Sequence, residues 1–573
     1  MSVIDKETRV ARPTISQRFT RAVVGKMHPK LTLGEHQVTV QKNLETPMSD
    51  GTILLGDLYL PDTVAPGTPT IVMRSPYGRS GPIGLGSIWP YAAQGFPVFV
   101  QSCRGTFGSG GKFRPQLDEQ RDGIDTLRWV RKQPWFSGHL VTAGMSYLGY
   151  VQWAVAGHLQ KTEPETAPEA LGLFVTMPDF GAITWDNGVF SLRNALGWTK
   201  MKSTMERPLA ILSMILPDSK LTKAFDHVPL AEGDEAAIGR TVDWYQDWVR
   251  HEDLTDEYWT QQKHTESVKD VTAPVTMVTG WYDIFAPWQI ADYATLVAAG
   301  NPPRLTIGPW GHTSRDLGDE VIDGTVDFLN EKFLGTPSTR TAPVRIFLTG
   351  ADEWIDLATW PPPGTAIRDL YLQGDAALSN SAPASAATVP TSYRYDPAHP
   401  TPTIGGPSLE PKGSEPVDNT GHESRDDVVT FTGEVLTEAV DATGSPVATV
   451  FFRSDRPSFD IFVRITDVGP DGRSMTVGDG IRRIGSIGTR ATDPSPDVEG
   501  VRAVDVKLWP IGHRFAAGHR IRVQISSGSH PRYAPNPGSG EPGATASTLH
   551  VARQEIFHDA VHASVLHLPV WQH

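Results

Sequence analysis

The residues best suited to chemistry in this 573-residue chain begin with Gly144-Met145-Ser146-Tyr147-Leu148-Gly149. The segment stands between a short apolar run, Leu140 to Ala143, and a stretch of helical character. A serine on so sharp a strand-to-helix turn points its hydroxyl out over a sheet, as a nucleophile elbow requires. Glycines flank such turns because a Cβ there would collide with the neighbouring strand or helix. The Tyr147 N–H would fall at the helix N-terminus, where backbone donors can stabilise an oxyanion. Leu148 stands where strict G-x-S-x-G has its second glycine. From the motif alone, an ordinary strand–turn–helix junction with a buried serine reads equally well.

A serine hydroxyl is a weak nucleophile and needs a base, itself oriented by a third group. One established chain order is Ser, then Asp or Glu, then His. Asp283 lies in Gly280-Trp281-Tyr282-Asp283-Ile284-Phe285, directly after an apolar run ending at Thr279. His312 lies in Gly308-Pro309-Trp310-Gly311-His312, directly after another ending at Ile307. Both places suit residues gathered at the carboxyl edge of a parallel sheet. Singly, Asp283 reads as a helix N-cap and His312 as a satisfied loop histidine. Together, in this order and each after a strand, they point to a Ser146–His312–Asp283 triad.

The elements that must position these residues alternate. Thr70 to Met73, Phe96 to Gln101, Leu140 to Ala143, Pro274 to Thr279 and Arg304 to Ile307 are short apolar runs, expected as buried parallel strands. Ile88 to Gln94, ending at Gly95, and Asp122 to Lys132 carry helical spacing, and a helical stretch is expected after Gly144, through Ala156. Strand–helix alternation implies an α/β domain. From about Phe180 to Trp259 that rhythm breaks. Trp198, Met201, Met205, Leu209, Leu212 and Met214 predict a helical insertion over the α/β domain. Beyond residue 366 come β-type runs, Arg368 to Leu372, Val428 to Thr432, Ala448 to Arg453, Asp460 to Thr466 and Ile521 to Ile525. Turn signals between them predict a β-sandwich or jelly roll.

Composition bounds the rest. Lys and Arg number 51 against 65 Asp and Glu, a net charge of −14, with no basic run, which argues against a nucleic-acid partner. Hydrophobic residues make up 39% of the chain, enough for sizeable cores. No apolar run approaches the ~20 residues of a membrane span. The segment Ser2 to Arg18 is polar and charged, without an export signal. The single cysteine, Cys103, reads as a small buried residue and excludes internal disulfides and cysteine-based zinc or iron–sulfur sites. A cytoplasmic enzyme without membrane attachment is the expectation.

These segments resemble the cocaine esterase/X-Pro dipeptidyl-peptidase group of α/β-hydrolases, which also holds the α-amino-acid ester hydrolases. The likeness includes Asp50-Gly51, Asp57-Leu58-Tyr59-Leu60-Pro61, Arg74-Ser75-Pro76-Tyr77 and Arg104-Gly105-Thr106-Phe107-Gly108-Ser109. It continues through Asp122-Gly123, Gln133-Pro134-Trp135, the serine motif, Trp281-Tyr282-Asp283 and Gly308-Pro309-Trp310-Gly311-His312. Pro531-Arg532-Tyr533, Asn536-Pro537, His558 and Leu568-Pro569 extend it into the β domain. The group's serine motif is G-x-S-Y-x-G, so Leu148 is ordinary there. The resemblance implies an α/β-hydrolase domain in two parts, residues 1–178 and 265–365, around a helical cap at 179–264, with a C-terminal jelly roll at 366–573. It implies Ser146 as nucleophile, His312 as base and acid, and Asp283 as orienter. It also implies an oxyanion hole of the Tyr77 hydroxyl and the Tyr147 N–H, and an acyl pocket of Trp185, Trp198 and Phe285. Trp198 reads equally as filling of the insertion's core. One departure stands out. The group usually has Asp two residues before the Arg of R-G-x-x-x-S, and here that residue is Ser102. Arg104 is therefore expected to lack one carboxylate partner.

An apolar, aromatic slot favours carboxylic esters with an apolar or aromatic acyl group. An α-amino-ester hydrolase or dipeptidyl-peptidase must instead hold an ammonium with carboxylates, for which Asp179, Asp186 and the acids from Asp243 to Asp256 are candidates. A non-catalytic binding protein is the reading from another class. The expected partner is a small-molecule ester, with self-association possible. Acyl transfer on a serine requires no metal and no cofactor.

Overall fold

The computed structural model describes residues 15–207, 218–385, 388–410 and 413–572. Leu209, Leu212 and Met214 of the expected insertion, and most of the polar N-terminal run, lie outside them.

The first sheet has ten strands. β1 (Val38–Pro47) and β2 (Ile53–Pro61) pair antiparallel at one edge. β3 (Thr70–Ser75), β4 (Val98–Ser102), β5 (Leu140–Met145) and β6 (Leu171–Phe174) follow. A two-residue hairpin, β7 (Trp185–Asp186) with β8 (Val189–Phe190), stands apart from the sheet. β9 (Val275–Tyr282), β10 (Arg304–Gly311), β11 (Val344–Leu348) and β12 (Glu353–Leu357) complete it. The spatial order is β1-β2-β4-β3-β5-β6-β9-β10-β11-β12, parallel from β4 to β11. β3, β4 and β9 are buried along their whole length, which explains their unbroken apolar runs.

The expected strands are present with small shifts. The run from Phe96 begins as a strand only at Val98, because Pro97 has no N–H for the ladder. β6, four residues long, escaped the sequence pattern although it lies at the sheet's centre beside β5. The helix expected through Ala156 divides into Tyr147–Trp153 and Ala156–Thr162. The insertion is helical over Leu192–Thr204, Gly233–Ile238 and Asp243–Arg250, and it also holds the small β7–β8 hairpin.

The expected second β region is a largely antiparallel domain of thirteen strands, from Thr365–Leu372 to Val565–Trp571. Its core includes Leu370, Phe431, Phe452, Ile461, Val523 and Leu566. Asp479 in this domain is buried between Arg464 (2.8 Å) and Arg532 (2.7 Å). That pairing anchors the segment whose Tyr533 hydroxyl donates to Asp186 of the cap hairpin at 2.6 Å. The β domain therefore braces the cap. No helix among the described residues is long and apolar enough to cross a membrane.

Candidate active site

Ser146 follows β5 at its carboxyl edge and adopts φ 59°, ψ −124°, a conformation costly for a residue with a Cβ. Three contacts hold it there. Its N–H donates to Phe174 O (2.9 Å), and its own carbonyl accepts from Gly149 N (2.9 Å) and Thr176 Oγ1 (2.8 Å). The two glycines are needed for closeness rather than for φ. A Cβ on Gly144 would lie 2.4 Å from Leu148 Cβ, and one on Gly149 would lie 2.5 Å from the Thr176 side chain. Position 148 has no such constraint, so a leucine fits where the strict motif has glycine.

Asp283 and His312 emerge from the carboxyl ends of the adjacent parallel strands β9 and β10. Asp283 is fully buried. Its Oδ1 accepts the Phe285 N–H at 2.7 Å, and its Oδ2 meets His312 Nδ1 at 2.6 Å. A carboxylate on Nδ1 keeps the proton there and leaves Nε2 as the basic nitrogen. No direct hydrogen bond joins Ser146 Oγ to His312 among the described residues; such bonds are commonly long until substrate is bound.

Tyr77 stands on the loop after β3, where Ser75 Oγ accepts its N–H at 3.1 Å. Its hydroxyl accepts from Trp198 Nε1 at 2.9 Å and lies within hydrogen-bonding reach of the Ser146 side chain. Burial pushes the phenol up to about 12, while these bonds pull the other way, so it stays a neutral donor through the physiological range. Tyr147 is the first residue of its helix, so its N–H has no intrahelical partner. The Tyr147 ring pins that backbone: its buried hydroxyl accepts from Gln116 N (2.7 Å) and donates to Glu119 Oε1 (2.8 Å). Glu119 in turn pairs with Arg74 at 2.8 Å, three residues before Tyr77. One buried network thus ties the Tyr77 loop to the Tyr147 turn. Cys103 lies in it, its thiol pushed well up by burial and by Glu119, as befits an inert residue.

A family model described as X-Pro dipeptidyl-peptidase (S15 family) matches residues 50–314, and one described as the X-Pro dipeptidyl-peptidase C-terminal non-catalytic domain matches residues 337–567. A cocaine esterase from Rhodococcus sp. (strain MB1 Bresler) is 31% identical over 548 residues, 88% of this chain and 93% of its own. The chain belongs to the cocaine esterase/X-Pro dipeptidyl-peptidase group of α/β-hydrolases. It is a serine hydrolase. The fold agrees with an α-amino acid ester hydrolase, at TM-score 0.78 and 22% identity, over 94% of this chain and 97% of that one. An aminopeptidase from the marine sediment archaeon Thaumarchaeota archaeon gives TM-score 0.77 at 22% identity with the same coverage.

Above Ser146 this hydrolase has a cavity walled by Phe180, Ile183, Trp198, Trp248, Phe285 and Leu409. Phe285 also stands edge-on to the His312 ring, 5.3 Å between centroids. Of the residues the resemblance names for the acyl pocket, Trp198 and Phe285 line this cavity and Trp185 does not: it is buried, its Nε1 donating to Trp248 O at 2.8 Å, and Trp248 is in the lining. Sequence reasoning missed Trp248 and Leu409. Trp248 sits on the apolar face of Asp243–Arg250, whose spacing marks it as inward-facing without naming the space it faces. Leu409 is a lone leucine in a proline- and glycine-rich loop and carries no signal.

The expectation for Arg104 is overturned. It holds two carboxylates, Asp122 at 2.6 Å and Asp50 at 2.9 Å. Ser102 faces a different cation: its hydroxyl accepts from Arg79 Nη1 at 2.7 Å, beside the Arg79–Asp57 pair at 2.9 Å. β4 ends at Ser102 and Arg104 lies in the turn beyond it, so the two side chains need not share a face or a partner.

Proposed function

We propose that this chain hydrolyses carboxylic esters with uncharged, apolar or aromatic acyl groups, through an acyl-enzyme on Ser146. Ser146 Oγ attacks the ester carbonyl as His312 Nε2 takes its proton, and Asp283 steadies the imidazolium that forms. The carbonyl oxygen, now an alkoxide, is met by the Tyr77 hydroxyl and the Tyr147 N–H. His312 returns the proton to the leaving alcohol. Water, deprotonated in the same way, then releases the acid.

The observation that carries the choice of substrate is the cavity lining. Around Ser146 it is largely aromatic and aliphatic, with the uncharged Gln116, Thr184, Ser191 and Asn194 among it, and no ionisable side chain among the described residues belongs to it. An α-amino acyl group would bring an ammonium that needs a carboxylate partner. None of the insertion's acids lines the cavity, and most are engaged elsewhere. Asp179 caps the helix Phe180–Thr184 and pairs with Lys263, Asp186 holds Tyr533, Asp243 pairs with Lys112, and Asp256 with His251. The likeness to a cocaine esterase supports the same reading. A single, buried cysteine is in keeping with a cytoplasmic location.

The test is turnover of p-nitrophenyl esters from acetate to decanoate, with phenylacetate and benzoate, beside alanine and phenylalanine p-nitroanilides. Ester turnover that disappears in Ser146→Ala, with anilides untouched, is expected. Anilide cleavage that depends on a free α-amine, or full ester turnover in Ser146→Ala, would overturn the proposal.

A further inference from the structure

We infer that Trp198 is a positioning residue for the oxyanion donor Tyr77, aiming the phenol proton at the reacting carbonyl, in addition to walling the acyl cavity. The inference rests on the reading of Tyr77 given above.

Hydrogen-bond bookkeeping carries it. An indole nitrogen can only donate, so the 2.9 Å contact from Trp198 Nε1 to Tyr77 Oη makes the phenol oxygen the acceptor. A phenol proton prefers the ring plane, on one side of the oxygen or the other. With one side taken by the indole N–H, the proton turns to the other, while Ser146 and Trp198 line one cavity and the Ser146 side chain neighbours the phenol. The donor is thereby aimed before substrate arrives, which is what stabilisation of a transient alkoxide demands. Accepting one hydrogen bond also strengthens the one the phenol donates, since linked bonds polarise each other.

Packing holds both rings in this relation. Trp198 lies parallel to Tyr147, 6.3 Å between centroids and 10° between planes, while Tyr77 meets Tyr147 edge-on at 6.5 Å. Trp244 and Trp248 also pack against the indole, at 6.3 and 5.6 Å between centroids. Trp198 belongs to the insertion helix Leu192–Thr204, and Tyr77 to the loop after β3. The bond therefore crosses from cap to hydrolase domain and makes competence of the oxyanion site depend on a seated cap.

The experiment is a double-mutant cycle of Trp198→Phe and Tyr77→Phe on p-nitrophenyl phenylacetate. Tyr77→Phe is expected to lower kcat by roughly 10²–10³. Trp198→Phe keeps an aromatic wall and deletes the N–H. It is expected to lower kcat about 5- to 10-fold, the worth of one neutral hydrogen bond, with KM nearly unchanged. In the Tyr77→Phe background it is expected to lower kcat no further, because no phenol proton remains to aim. A mere wall would behave otherwise: KM and the acyl-length optimum would move, and the effect would persist in that background. A kcat effect that persists in that background would overturn the inference, whatever KM does, because the ring also walls the cavity. If Trp198→Phe does not fold, replacement of Trp198 by benzothienylalanine removes only the N–H and is read the same way. A wild-type kcat in Tyr77→Phe would instead refute the oxyanion assignment itself, so the two failures are told apart.

Discussion

Replacing Gly149 with alanine puts a methyl group where the structure has no room for one. The new Cβ would lie 2.5 Å from Cβ and Cγ2 of Thr176 and 2.6 Å from its Oγ1, whereas ordinary contact begins near 3.4 Å. Something must therefore yield by about 0.9 Å. Thr176 is fully buried, and its N–H donates to Gln289 Oε1 at 3.0 Å, so it cannot simply swing away. Its Oγ1 also donates to the Ser146 carbonyl at 2.8 Å, so moving it loosens the strained turn directly. Overpacking costs about 1–3 kcal/mol, and the lost hydrogen bond about 1 more. A displacement near 1 Å at a reacting group is worth about 10²-fold in rate. Gly149→Ala should thus melt at lower temperature and lose about 10² in kcat for p-nitrophenyl phenylacetate, counted per serine titratable by an organophosphonate. An unchanged melting point with unchanged kcat would refute the packing argument. A lowered melting point with unchanged kcat per titrated serine would keep it and refute the link from Thr176 to the nucleophile.

Gly324 provides the opposite case. It lies inside the helix Arg315–Leu334, and its Cβ would meet only Glu320 Oε1, at 4.0 Å. Gly324→Ala should raise stability by about 0.5–1 kcal/mol in chemical denaturation without changing kcat; a loss of stability would show the site to be tighter than its geometry indicates. Asp186, buried under the cap hairpin, has its carboxyl pushed up by burial to about 6 from 3.8. The folded chain then holds a proton that the unfolded chain has released between those values, so this group's contribution falls as pH rises from about 4 to 6 and is level above. Melting curves of the wild type, taken relative to Asp186→Asn, should decline by about 3 kcal/mol over that window. A difference that stays constant with pH would contradict the shift.

How much of this was legible beforehand depends on the kind of contact involved. Ser146, Asp283 and His312 could be placed from the chain because each directly follows a buried strand, and strand ends in a parallel sheet collect at one edge. The two-part hydrolase domain, the helical insertion and the C-terminal β region also follow from local periodicity and turn residues. β6 was missed because four apolar residues carry no period.

Side-chain partnerships across long stretches of chain are another matter. The residue types at 102 and 104 say nothing about which partners each will meet, and only the turn that ends β4 sends Ser102 to Arg79 and Arg104 to Asp50 and Asp122. The same holds for the place of Trp248 rather than Trp185 in the cavity wall, for Leu409, and for the insertion's acids, most of which look available in the sequence and are committed in the fold. The bond from Trp198 to Tyr77 is the plainest instance. Both residues are visible as aromatics, yet their 2.9 Å contact exists only because a cap helix and a sheet loop meet over Ser146. Local periodicity decides which face of an element is buried; which donor then meets which acceptor is decided by packing in three dimensions, where every buried polar group has to find its partner.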